Sequence, residues 1–360
     1  MCCCLLIPEI TQKMYKKAGG IMNFKIVHEK YCSGVYGAGK VVRNQKEWIA
    51  FVSELEGTGV IDLVDPDTFE TVCASTAPGG GMNIVPLKEN GEFLCIQKFF
   101  PVFKSEGADV VWGYEDENGY HTKEVLQLPF LHRIEVVQIR NEDYLMCATL
   151  CKTKEYIDDW SYPGSVYVGK INYEEHSIGE LQVVYADIFQ NHGLTKLENQ
   201  GGILIAGKNG VHRLVPPAVE NDEWEIIEEI TDPTSDCVAV DIDGDGELEY
   251  GTITPFHGKD FNIYKKTDGK FKKIYTLPGT HKFGHAIWGG IFNGKPAFIV
   301  GFRDAGKELI LVEQNGEKIE EHLIDANLGP ANVTVIPHKQ GDLICAANRQ
   351  TDRYTVYCAE

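Results

Sequence analysis

Positive charge is scarce in this sequence: 34 Lys and Arg stand against 53 Asp and Glu, a net charge of −19. Nucleic-acid binding draws its strength from Lys and Arg that displace counterions, so a phosphate backbone is excluded as a partner. The acidity speaks instead for solubility and self-repulsion. No run of about 18 apolar residues occurs, so no helix that spans a membrane is expected. No Cys-x-x-Cys pair occurs, which excludes a zinc ribbon. No helical period of useful length is visible except over Gln45 to Glu54, which also fits a strand. The N-terminus lacks the basic-then-apolar order of a signal peptide.

What is present is a chain of 360 residues, 43% apolar, with 37 glycines and 15 prolines. Such a length holds one large β domain or two ordinary ones. The 11 cysteines comprise Cys2, Cys3 and Cys4 and eight scattered singly. An odd number without a framework of spacings reads as free thiols in a reducing, cytoplasmic compartment. Residues 1 to 21 read as a loose extension, and Met22 opens a well-patterned strand, so residues 22 to 360 are expected to form one domain.

A unit of alternating strands and turns recurs along the chain. Its first strands align on Gly37, Asn83, His132, His192, Asp236, His285 and Asn332, with spacings of 46, 49, 60, 44, 49 and 47. The long spacing contains an insertion from Glu155 to Gly164. Turn signals fall between the strands, among them Glu89-Asn90-Gly91, Asn199-Gln200-Gly201 and Asn293-Gly294. A period of about 50 with three or four strands per unit predicts an all-β, seven-bladed β-propeller. The strand from Phe24 to His28 precedes the first unit and is free to complete the last blade, which removes an open edge. Two β-sandwiches are the alternative, but they give no reason for a near-constant period.

One local motif stands out. Asp241, Asp243, Asp245 and Glu249 occupy positions 1, 3, 5 and 9 of a nine-residue loop, with Gly244 and Gly246 at its sharp turns. Oxygen ligands at alternate positions suit a hard cation such as calcium or magnesium. A strand, Cys237 to Val240, leads into the loop, so it is not an EF-hand. We expect a structural cation that pins a turn between strands.

In a propeller the seven aligned positions form a ring at one mouth of the central channel. That ring holds His132, His192, Asp236 and His285, with Asn83 and Asn332. Imidazoles and a carboxylate that converge on one axis suit zinc, manganese or another divalent ion, or general acid–base work near neutral pH. The loops after the second strands form the wall and carry Lys98, Asp159 with Trp160, Lys208, His257, Arg303 and Arg349. A single histidine that opens a strand is as well explained by a turn-side hydrogen bond. Three in register point to a site. Trp160 offers a face for a sugar ring, beside Asn83, Asp159, Asn332 and Arg349 as polar contacts.

With these residues in hand, the chain resembles the FG-GAP/VCBS class of repeat propellers, through Asp236 to Tyr250. It is similar also to the propeller domain of aldos-2-ulose dehydratase, through the histidines that open inner strands and the Asp-rich run that continues from Asp236. It lacks the long second domain of those enzymes. The resemblance implies a metal-assisted lyase or isomerase that eliminates water or moves a proton beside the carbonyl of a sugar or keto sugar. A divalent ion on His132, His192, Asp236 or His285 would polarise the substrate, a ring histidine or His257 would take the proton, and Lys98, Lys208 or Arg303 would stabilise the enolate oxygen. A propeller that only binds carbohydrate or protein, and a scaffold that uses its rim, are the competing readings.

Overall fold

The computed structural model describes residues 22–197, 202–219 and 223–360. The expected N-terminal extension and the Asn199-Gln200-Gly201 turn lie outside the described residues. Seven small antiparallel sheets follow one another around a ring. Strand β1 (Phe24–Tyr31) comes first. Blade 1 then holds β2 (Val35–Arg43), β3 (Lys46–Ser53), β4 (Ile61–Val64) and β5 (Thr71–Ser75). Blade 2 holds β6 (Ile84–Pro86), β7 (Phe93–Gln97), β8 (Asp109–Asp116) and β9 (Gly119–Gln127). Blade 3 holds β10 (Leu131–Ile139), β11 (Glu142–Thr149) and β12 (Gly164–Asn172), and its outer strand is split into β13 (Ser177–Ile178) and β14 (Gln182–Ile188).

Blade 4 holds β15 (Gly193–Lys196), β16 (Ile203–Gly207), β17 (Gly210–Val215) and β18 (Glu225–Ile230). Blade 5 holds β19 (Asp236–Val240), β20 (Glu249–Thr254), β21 (Asp260–Thr267) and β22 (Lys270–Thr276). Blade 6 holds β23 (Lys282–Phe292), β24 (Lys295–Asp304), β25 (Leu309–Asn315) and β26 (Lys318–Asp325). Blade 7 holds β27 (Asn332–Ile336), β28 (Leu343–Asn348) and β29 (Arg353–Ala359), and β1 pairs with β29 as its fourth strand. The first and last described strands thus close the ring. The expected seven blades and the N-terminal closure are both present.

The sequence pattern follows from this packing. A second strand has a neighbouring blade on each face, so β7, β16, β20 and β28 are buried at every position. Outer strands such as β22 keep mostly exposed side chains. Each seam between blades has its own apolar layer. Trp48, Phe93 and Val111 fill the seam of blades 1 and 2, and Phe261, Phe298 and Val312 fill that of blades 5 and 6. At about 25 cal/mol per Å² of apolar area, these face-to-face layers are the main favourable contribution to the fold. The eight described cysteines are free thiols, six of them buried. Among the described residues no helix is long and apolar enough to cross a membrane.

Candidate functional site

A β-bulge turns three side chains toward the axis. In β10, Leu131 faces Thr149 and Arg133 faces Ala148, so His132 is the extra residue. In β23, Gly284 faces Phe302 and Ala286 faces Gly301, so His285 is extra. In β2, Val35 faces Ser53 and Gly37 faces Val52, so the extra residue is Tyr36. A bulge frees a residue from the ladder and re-aims it, which is why bulges gather at sites. The equivalent residue of blade 1 is therefore Tyr36. Gly37, the residue on which the repeat was aligned, serves instead as clearance, since a Cβ there would lie 2.8 Å from the Met82 carbonyl oxygen.

Side chains from five blades meet. The His132 and His192 rings are 4.4 Å apart, His192 and His285 5.3 Å, and His192 and His257 4.9 Å. Tyr36 Oη lies 2.7 Å from His285 Nε2. Groups from so many blades can come this close only on the axis. His132, His192 and His285 are buried, 3%, 1% and 2% exposed. Each leans its Nδ1 on a main-chain carbonyl of a later blade. His132 uses His192 O at 3.1 Å, His192 uses Ser235 O at 3.1 Å, and His285 uses Ala331 O at 2.6 Å. A neutral imidazole that donates from Nδ1 keeps an acceptor lone pair on Nε2. Three rings are thereby set with Nε2 as the acceptor.

The protonation states agree with this geometry. Burial, with Arg133 and His257 adding to it, holds His132 well below the ordinary histidine value. Burial and the neighbouring imidazoles do the same for His192 and His285. Burial and then Arg303 and Arg133 bring His257 down to about 3. All four are neutral at pH 7 and available as ligands or bases.

His257 comes from the loop after β20, with φ of 46°. Its Nε2 is 3.2 Å from His192 Nε2. Ligand nitrogens of His192, His257 and His285 all lie within 4.8 Å of one another. Two imidazole nitrogens on a tetrahedral zinc at about 2.0–2.1 Å are separated by roughly 3.4 Å. The spacing of His192 and His257 fits that edge, so this donor set suits a transition-metal ion.

The other predicted residues fall into two groups. Arg303 belongs to the site: its guanidinium lies 5.4 Å from the Tyr36 ring centre and 4.9 Å from that of Phe283. Trp160 also belongs, through Phe256. Its ring meets Phe256 edge-on at 4.8 Å, and Phe256 stacks on His257 at 4.0 Å. Lys154 Nζ sits 3.3 Å from the centre of the Trp160 ring.

The remaining predicted contacts are committed elsewhere. Lys98 pairs with Asp109 and with Glu124 at 2.9 Å, on the outer strands of blade 2. The chain turns at Lys98, where φ is 54°, and Phe99 and Phe100 take the inward side against His132 and Tyr36. Lys208 is exposed in the two-residue turn between β16 and β17. Asp159 accepts the Glu155 and Ser161 N–H groups, each at 3.0 Å, and so shapes the blade 3 insertion. Arg349 is paired with Glu54 at 2.6 Å across the seam of blades 7 and 1. Asn83 accepts Ile134 N–H at 2.7 Å and joins blade 2 to blade 3, and Asn332 accepts the N–H of its own neighbour Val333 at 2.9 Å.

Asp236 is likewise committed. Arg133 donates to its carboxylate at 3.1 Å across two blades. Burial pushes Asp236 up to about 6, against the pull of Arg133. A Cβ on Gly193 would come 2.7 Å from Asp236 Oδ1, so glycine beside His192 leaves room for this pair. Asp236 is thus not among the groups that gather with His192, and His257 takes that place.

The acidic turn lies between first and second strands, at the opposite ends of those strands from the histidines. Asp241 accepts the N–H groups of Gly244 at 2.7 Å and Gly246 at 2.9 Å. Lys265 Nζ stands 2.5 Å from Asp243, 2.6 Å from Asp245 and 3.1 Å from Glu249. An ammonium group thus lies among these oxygens, and ligand oxygens of Asp241, Asp243 and Glu249 also lie within 4.8 Å of one another, the grouping a divalent ion would use.

No family model matches the sequence, and no curated protein matches it. The resemblances to FG-GAP/VCBS repeats and to aldos-2-ulose dehydratase therefore rest on the residues quoted for them. Solved structures do share the fold. A Bacteroides uniformis protein described as a 6-phosphogluconolactonase is 14% identical with a TM-score of 0.56, over 84% of this chain and 88% of its own. One from Bacteroides fragilis, described likewise, is 10% identical with a TM-score of 0.61, over 94% of this chain and 91% of its own. At such identities the likeness defines a class of architecture, the seven-bladed β-propeller.

Proposed function

We propose that this propeller is a metal-dependent enzyme of carbohydrate chemistry, with its centre at His192, His257 and His285. The observation that carries the reading is the convergence of three imidazoles from separate blades, two of them buried and one half-buried, with ligand nitrogens within 4.8 Å of one another. The described activity of the two structural neighbours, on a sugar lactone, supports a sugar-derived substrate. A divalent ion bound there supplies Lewis-acid polarisation of a carbonyl or hydroxyl oxygen.

The chain's own residues supply the rest. His132 stays outside the metal set, neutral and with Nε2 an acceptor, and is the base for a proton beside a carbonyl. The C–H electron pair then forms a C=C bond, and a β-hydroxyl leaves with a proton as water. Tyr36, whose buried phenol carries its proton at pH 7, is the acid that delivers it; burial pushes it up to about 12. Arg303 places positive charge where oxygen charge develops, an effect typically worth about 3 kcal/mol. Trp160 and Phe256 offer aromatic faces to a sugar ring. Where no hydroxyl leaves, the same groups move a proton and the outcome is isomerisation.

The test is metal content and turnover of keto sugars in wild type and His257→Ala. The expected result is one tightly held transition-metal ion, lost in the variant together with at least 100-fold of activity. A variant that keeps both metal and activity overturns the reading. Sugar binding that persists in His257→Ala without any turnover in wild type favours the binding propeller instead.

A further inference from the structure

We propose that the outer hairpin of blade 6 holds a second, zinc-class divalent ion between Glu313, Glu320 and His322. This site is separate from the axis and does not depend on the function proposed above. Glu313 on β25 and Glu320 on β26 are direct cross-strand partners. Like charges placed directly opposite destabilise a sheet unless a cation lies between them. His322 is two residues beyond Glu320, so its side chain is on the same face. Its Nε2 is 3.1 Å from Glu313 Oε1. The ligand atoms of all three residues lie within 4.8 Å of one another.

Burial separates this trio from a solvated charge cluster. Glu313 and His322 are 6% and 7% exposed. They share a face with Leu309, Leu311 and Ile324, which pack on Val333, Val335 and Tyr357 of blade 7. The cluster therefore borders the seam of blade 6 with the blade that closes the ring. Among the described residues Glu313 pairs with Lys295, at 3.7 Å, whose side chain is 64% exposed. Its contact with Glu313 is long and open to solvent. Asn315 donates to Glu320 at 3.3 Å and orients that carboxylate. One imidazole and two carboxylates suit zinc or a similar transition ion, with a water in the remaining position, and suit calcium poorly. A bound ion would fasten β25 to β26.

The experiment strips the full-length protein with chelator, adds zinc, removes the excess and counts zinc per folded chain. Glu320→Gln and His322→Ala are each expected to hold one ion fewer than wild type. In a His192→Ala/His257→Ala background, which removes the axis set, one ion should remain, and adding Glu320→Gln should remove it. Zinc should also raise the melting temperature of wild type by several degrees more than that of Glu320→Gln. The proposal is overturned if Glu320→Gln binds as much zinc as wild type, or if the axis double variant retains none. Glu320 is only half-buried, so its variant reports even if His322→Ala does not fold. Loss of one ion in Glu320→Gln with no change in the axis variant supports the hairpin site and counts against the axis reading.

Discussion

At the scale of single residues, burial decides which charged groups serve structure and which serve chemistry. Asp109 shows the structural case. Its side chain is 1% exposed beside Lys98 and Glu124. Burial pushes its carboxyl up to about 6, so the cost of desolvation exceeds the help from Lys98. The sign follows. Between about 3.8 and 6 the folded chain binds more protons at this site than the unfolded one. Its contribution to stability is therefore fully present below 3.8 and is lost as pH rises through 6. Asp109→Asn should stabilise the protein against urea at pH 8 by about 1 kcal/mol, and the gain should vanish near pH 4. A loss of stability at pH 8 would mean that the Lys98 pair outweighs the burial.

Tyr36 is the residue that sequence reasoning missed. Its blade was aligned on the adjacent Gly37, a slip of one position. The Val35-Tyr36-Gly37 run carried the signal, since Leu131-His132 and Gly284-His285 show the same ring-bearing residue after an apolar or small one. A bulge hides such equivalence, because it adds one residue that strand periodicity does not count. The axis histidines were legible because each sits at a repeated position. The wall residues were less so, since the direction of a loop side chain depends on local φ. Lys98 turned outward for that reason, and Asp159 folded into its own loop.

At the scale of elements, the turn from Asp241 to Glu249 illustrates how one motif can be satisfied in two ways. Its ligand spacing was readable, but the partner on β21 was not, because Lys265 is 16 residues beyond Glu249 in sequence. The ammonium group that sits among Asp243, Asp245 and Glu249 supplies charge that a divalent ion would otherwise bring. Lys265 is held above the ordinary lysine value, first by its hydrogen bonds to Asp243 and Asp245. Lys265→Met should lower the melting temperature in chelator by several degrees, and millimolar calcium should restore it. Wild type should shift by less than a degree with calcium. A large calcium shift in wild type would show that the ion displaces the lysine.

At the scale of the whole molecule, the period of the repeat carried the fold. Seven strand sets at near-constant spacing leave few alternatives, and the spare strand from Phe24 predicted how the ring closes. Residues 93 to 249 positions apart in sequence then meet because the blades are radial: His192 reaches His285, and Tyr36 reaches His285. Pattern alone could not say which of the ring groups would be spent on one another, as Asp236 is on Arg133.

The account stands on the axis histidines holding an ion. An anomalous-difference map from crystals of the zinc-loaded protein tests this most directly. A peak about 2.0–2.1 Å from Nε2 of His192, His257 and His285 is the predicted result. A fully loaded crystal whose axis carries no peak, with Tyr36 still bonded to His285 and His257 to His192, would contradict it.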